Sequence, residues 1–360
     1  MKKHFPSITV FFLFIASLFL SSCTEEAQRG LRAVPTAFGN LNEIVVIMDT
    51  DLWDGPLGDT IRYYYSSAYP LLPQPEPIFD LRQFTPEELE AERLRKELRT
   101  YMFVGNLSDA NSPTTKMIIR DIGEEKARRA REDTAFNSII GRDKWAKGQL
   151  VIYQFANSID ELSANLKENF PAVKKRVHEF DSKKLGAYVY LGGENKKLEE
   201  QIRTSMGVNL KVPSDYFLAI NDGNIIWIRK ETDVISSNIM MKKVKYTDQA
   251  QLTKEYLLAL RDSIGRHYIS STLPDTYMQV NAIDLPVLSS PTKINGYYAI
   301  DARGIWEIVN DYMGGAFVSY LILNPNTSEL LFIDGFLHAP GEDKRDFMMQ
   351  LEHVVKTVKF

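Results

Sequence analysis

The chain has 360 residues, 44% of them hydrophobic and 25% charged, an ordinary globular composition at a length suited to about two domains. Its net charge of −4 lacks the basic footprint of a nucleic-acid binder, so no nucleic-acid partner is expected. One cysteine excludes an intramolecular disulfide.

Lys2 and Lys3 open the chain, Ile8–Leu20 is an apolar run, and Leu20-Ser21-Ser22-Cys23 follows. A basic start, a short apolar core and a small-residue cleavage site predict a secretion signal over residues 1–22. The run is too short to span a bilayer comfortably. Leu-Ser-Ser-Cys resembles the lipobox of bacterial lipoproteins, in which the cysteine is lipidated and becomes the first mature residue. The resemblance implies a membrane partner through a lipid anchor at Cys23. Thr24 in place of aspartate implies the outer membrane of the cell envelope. Thr24-Glu25-Glu26 partly resembles the acidic surface-export tag of Bacteroidetes lipoproteins, which leaves the periplasmic and surface faces both open. Residues 23–35 are polar and aperiodic and read as a tether.

Glu43–Met48 is a short apolar run typical of a buried strand. Asp54 is placed to cap a helix near Pro56, in which Trp53, Leu57, Ile61 and Tyr65 face the core. Pro70, Pro73, Pro75 and Pro77 enforce an extended loop. Thr85-Pro86-Glu87-Glu88 is a capping box opening a charged helix to about Arg99. Tyr101–Leu107 reads as a strand, 114–131 as a helix and Gln149–Ala156 as a strand. Ser158-Ile159-Asp160-Glu161 opens a helical stretch toward Tyr190, broken or kinked at Pro171. A helix over Asn195–Met206 stops at Gly207. Alternating strands and helices predict an α/β domain over residues 36–210.

The pattern changes after Val212-Pro213-Ser214. Tyr216–Ile220 and Ile225–Lys230 form a hairpin across Asn221-Asp222-Gly223-Asn224. Asn238–Tyr246 is a strand, and a helix capped by Thr247 or Asp248 runs to about Ile264. The order recurs in Gly296–Ile300, Ile305–Val309, Phe317–Leu323, Glu329–His338 and a last helix with Phe347, Leu351, Val354 and Val358 inward. This predicts an α+β domain over residues 211–360, an antiparallel sheet with a closing helix, built as two strand-strand-strand-helix units in which Trp227 and Trp306 correspond.

Ile305–Tyr320 is the most aromatic and glycine-rich segment after the signal. Gly314 and Gly315 are expected to supply the positive φ of a tight turn. Trp306, Asp311, Tyr312, Gly314, Gly315 and Tyr320 form the candidate binding surface, with Asp311 beside aromatics as a pocket carboxylate or a turn residue bonding nearby amides.

Asn42–Met48, Leu72–Pro77, Val212–Tyr216, Asn310–Gly315 and Ala339–Arg345, with the lipobox, resemble the Bacteroidetes lipoprotein family catalogued as domain of unknown function 4837. The resemblance implies the location and carries no chemistry. The C-terminal part also looks like the PsbP/Mog1 type of sheet, which implies a binding module.

Asp49-Thr50-Asp51 after a strand resembles the haloacid-dehalogenase phosphatases, whose paired aspartates hold magnesium and a phosphoryl group. Asp49 and Asp51 are therefore the candidate catalytic pair of an envelope hydrolase, although Leu52-Trp53 departs from that pattern. His4, His178, His267, His338 and His353 lack metal-site spacing, and no P-loop or nucleophile elbow is present. The expectation is a non-enzymatic binding or assembly module for an envelope protein or small ligand, without cofactor or metal.

Overall fold

The computed structural model describes residues 34–360. Cys23, the signal segment and all of the tether but residues 34 and 35 lie outside the described residues. The first domain is a five-stranded sheet of β1 (Glu43–Ile47), β2 (Asp80–Phe84), β3 (Thr100–Asn106), β4 (Ser138–Arg142) and β5 (Leu150–Ala156). The order is β2-β1-β3-β5-β4, parallel except for the edge strand β4. β3 and β5 are buried on both faces, as parallel sheets between helical layers require. The short helix α1 (Thr50–Trp53) leads into α2 (Pro56–Tyr65), which with α6 (Ile159–Val189) covers one face. α3 (Pro86–Ala91), α4 (Pro113–Ile122) and α5 (Glu124–Glu132) cover the other.

Several local expectations change. Gly55, rather than Asp54, precedes α2, and Asp54 ends α1. The Thr85 capping box forms, with its hydroxyl accepting from the Glu88 amide at 3.2 Å and the Glu88 carboxylate accepting from the Thr85 amide at 2.9 Å. The helix stops at Ala91 because no apolar stripe continues it: Leu94 is exposed in the following 3-10 turn. The helix expected over 114–131 breaks into α4 and α5 at Gly123, where φ is +88°, a value glycine adopts without strain. α6 continues without a break for 31 residues through Pro171. Pro171 is exposed, so water can satisfy the carbonyl that the proline orphans.

The second domain is an eight-stranded antiparallel sheet. Its strands are β6 (Phe217–Asn221), β7 (Ile225–Glu231), β8 (Ser236–Lys245), β9 (Tyr277–Asn281), β10 (Leu288–Ile294), β11 (Tyr297–Val309), β12 (Gly314–Leu323) and β13 (Glu329–His338). The order is β10-β11-β12-β13-β8-β7-β6, with β9 on the far half of β11. The two strands expected over 296–309 are one, β11. Gly304 lies inside it because a Cβ there would stand 2.9 Å from the Phe317 ring. α8 (Lys254–Tyr268) covers one face, over Trp306, Phe317 and Phe336. α7 (Lys196–Met206) and the closing helix α9 (Arg345–Val355) cover the other. α7 was expected in the first domain, but Leu198, Ile202 and Met206 bury against this second sheet. The division between the sheets therefore falls between α6 and α7.

Trp227 on β7 and Trp306 on β11 both pack against Phe336, at 6.3 and 5.8 Å between ring centroids. The tryptophans share a face while α8 and α9 lie on opposite faces.

The domains are latched by the segments that carried the family resemblance. Glu76 accepts from the Lys344 and Arg345 amides at 2.6 and 2.8 Å, placing a carboxylate from the first domain on the N-terminus of α9. Arg345 returns to the Pro77 carbonyl and the Asp80 carboxylate, each at 2.8 Å. The Asn42 side-chain amide donates across to Asp346 of α9 at 3.3 Å, and within the first domain the Asn42 backbone amide donates to Asp181 at 2.8 Å, which also pairs with Arg99 at 2.7 Å.

Candidate functional site

The predicted aromatic surface is not a surface. Trp306 is buried under α8 and Tyr320 is buried on the opposite face of the sheet toward α9. They alternate across the pleat, because side chains an even number of residues apart share a face only along one strand. The β11–β12 turn leaves Tyr312 fully exposed. Asp311 accepts from the Tyr312 amide at 2.7 Å, so it acts as a turn residue. The positive φ of the turn belongs to Asn310, at +62°, and not to the glycines. Gly314 and Gly315 serve close approach instead. A Cβ on Gly314 would lie 2.8 Å from the Trp306 carbonyl oxygen, and one on Gly315 would lie 1.8 Å from the Leu337 carbonyl oxygen. Gly315→Ala should cost at least about 2 kcal/mol by forcing β12 and β13 apart, read as a lower urea midpoint.

The two aspartates do not converge either. The chain order of the strands in the first sheet reverses between β1 and β3, the place where such folds commonly leave a ligand crevice at the carboxyl ends of the strands. Asp49 sits there, but its carboxylate accepts from the Ser112 hydroxyl, the Thr114 amide at 3.2 Å and the Thr114 hydroxyl at 2.6 Å. It thus closes the N-terminus of α4. Asp51 is exposed on α1. The Asp49 carboxylate in this crevice is thus engaged by capping contacts. His338 Nδ1 lies 3.0 Å from the Gly314 carbonyl, locking the base of the β11–β12 turn. Among the described residues no cluster of three metal-ligating side chains occurs.

The structure instead gathers charged groups in a cleft of about 390 Å³ between the domains. α6 contributes Lys174, His178, Asp181 and Ser182, α9 contributes Glu352, His353 and Lys356, and β11 contributes Arg303. Tyr69 and Pro70 from the proline-rich loop form part of the wall. At its floor Glu352 is the hub. It accepts from both terminal nitrogens of Arg303, one at 3.0 Å, and from the Tyr320 hydroxyl at 2.6 Å, and it pairs with Lys356 at 2.7 Å. Burial pushes the Glu352 carboxyl upward, but Arg303 and Lys356 outweigh it and hold the group well below the usual carboxylate range. Burial and the Glu352 charge push the Tyr320 hydroxyl well up, so it stays a neutral donor.

On the α6 side, burial lowers the Lys174 ammonium, and the neighbouring Arg303 charge lowers it further. Burial, then Lys174, likewise lowers His178. The His178 Nε2 atom is buried without a hydrogen-bond partner, an uncommon state for a buried polar atom. These residues were missed in the sequence because each looks like a solvated helix charge. The available signal was paired spacing, Lys174 and His178 on α6 and Glu352 and Lys356 on α9, each four apart and so on one helical face.

The class defined by fold and site is a two-domain α/β and α+β protein with a polar cleft at the domain junction. Residues 195–357 match the family model described as domain of unknown function (DUF4837), and residues 37–187 match that described as domain of unknown function (DUF8532). The two matched stretches meet at the cleft. No curated protein matches the chain. Among solved structures, the Ran-binding protein Mog1p of Saccharomyces cerevisiae is similar at 9% identity, with 42% of this chain and 89% of that chain covered and a TM-score of 0.28. The human StarD13 (DLC2) lipid transfer and protein localization domain is similar at 8% identity, with 45% and 95% covered and a TM-score of 0.19.

Proposed function

We propose that this protein is a lipid-anchored binding module of the bacterial outer membrane, held there through Cys23, and that its ligand occupies the cleft between the two domains. The observation that carries the reading is the cleft itself, about 390 Å³ lined by Lys174 and His178 of the first domain and by Arg303, Glu352 and Lys356 of the second. The bipartite architecture suits ligand binding because a cleft between domains is a preferred location for small-molecule sites. The segment between the anchor and the first strand gives the module reach from the membrane. The anchor is proposed from the lipobox alone.

Two measurements test the proposal. Small molecules extracted from the purified full chain and identified by mass spectrometry should include one that is lost in Ser182→Trp, a variant that fills the cleft. An identical extract from both proteins sinks the cleft reading. Metabolic labelling with a palmitate analogue should mark the wild-type chain and leave Cys23→Ala unlabelled. Label retained in Cys23→Ala removes the anchor.

A further inference from the structure

We infer that the cleft selects an anionic small molecule, with Lys174 and His178 receiving a carboxylate or phosphate oxygen of the ligand. The inference rests on the binding reading above and adds the chemical class. It starts from the charge balance among the lining residues. Lys174, Arg303 and Lys356 supply three positive charges, and Glu352 supplies one negative charge that Arg303 and Lys356 already share. Asp181 also lines the cleft, but it is paired with Arg99 and bonded to the Asn42 amide. Asp301 approaches Arg303 at 3.7 Å. With these carboxylates counted, and Arg99 set against Asp181, the site still holds an excess of one positive charge.

That excess resides on Lys174. The nearby charge acting on it is another cation, Arg303, and both burial and that charge disfavour its ammonium form. An anion in the cleft reverses both penalties, since it neutralises the like-charge pair and supplies hydrogen-bond acceptors to the ammonium. His178 lies one helical turn from Lys174, on the same face of α6. Its ring also lines the cleft, and a neutral ring can donate one hydrogen bond to the same oxygen without adding charge. Arg303 is held to Glu352 and Tyr320, so it contributes field and not a free fork. The floor is thus fixed and the α6 wall supplies the unsatisfied donors.

Calorimetry of the full chain in detergent, with inorganic phosphate and with succinate as probes, tests the inference. Binding of at least one probe is expected. Lys174→Met should weaken it at least tenfold, Lys174→Arg should restore most of it, and the melting temperature without ligand should change little in either variant. A response only when phosphatidylglycerol is added to the micelles, lost in Lys174→Met, places the oxyanion on a lipid headgroup and supports the same assignment. Binding of a probe unchanged in Lys174→Met overturns it, as does the absence of any response to phosphate, succinate and phosphatidylglycerol. If these probes fail while Ser182→Trp still empties the purified protein of a small molecule, the charge assignment falls and the cleft reading stands.

Discussion

Asp334→Ala should be among the most destabilising single substitutions in the second domain, by about 3–5 kcal/mol, because it strands a buried charge. Asp334 lies in the middle of β13 at 2% exposure, and Arg261 of α8 points at it from 1% exposure. The pair is 3.2 Å apart, and the Ser319 hydroxyl donates to the same carboxylate oxygen at 2.5 Å. The Arg261 guanidinium also sits 3.9 Å above the centre of the Phe317 ring. One of its nitrogens, Nη1, has no partner, so the carboxylate is the principal group that balances this charge. Removing it leaves the guanidinium in an apolar core formed by Trp306, Phe317 and Phe336. Urea denaturation checks the effect. The double variant Arg261→Met with Asp334→Leu should recover much of the loss, since apolar replacement of a buried pair is often close to neutral. Equal losses in the single and double variants would contradict this account of the pair.

Glu352→Gln should cost about 2–3 kcal/mol at neutral pH, the scale of a hydrogen bond to a charged group, and should flatten the acid limb of the stability curve. The sign follows from linkage. Glu352 has a folded-state value held well below its ordinary one, since Arg303 and Lys356 outweigh the burial that opposes them. An unfolded glutamate titrates near about 4.3. The stabilisation is therefore complete above that value and is lost as pH falls through the folded-state value, where the native carboxylate finally binds its proton. Glutamine has no such transition. Unfolding free energy measured from pH 7 downward should converge for the two proteins in acid. Parallel curves would exclude Glu352 as a contributor to acid sensitivity.

Much of the fold was legible in local patterns. The apolar runs at Glu43–Met48 and Gln149–Ala156 became buried parallel strands because a strand covered on both faces needs no polar alternation. Thr85 and Glu88 formed their reciprocal cap because that motif closes within four residues and needs no tertiary partner. The same holds for Gly207, which ends α7 in the left-handed region. Errors clustered where a residue has two physical uses. Gly314 and Gly315 read as turn glycines, and each is where another chain segment comes too close for a Cβ, as is Gly304 inside β11. Pro171 invites a break or a kink, and α6 continues past it without a break on an exposed turn.

The candidate site followed the opposite course. Aromatics attract attention in a sequence because of their area, and here that area went into the two cores on either side of the sheet. Asp49 follows a strand as a nucleophile would, and the fold commits it to the α4 terminus. Local patterns carried the strand and helix alternation of the first sheet and the antiparallel sheet with its closing helix. These depend on periodicity, caps and short motifs, which act over a few residues. That Lys174 and His178 line one cleft with Arg303 and Glu352, across the domain boundary, follows from the packing of distant segments. Those partners are more than a hundred residues apart in the chain. Their meeting depends on how α9 is latched to the first domain by Glu76 and Arg345, and no local pattern encodes the partner of a lone charge.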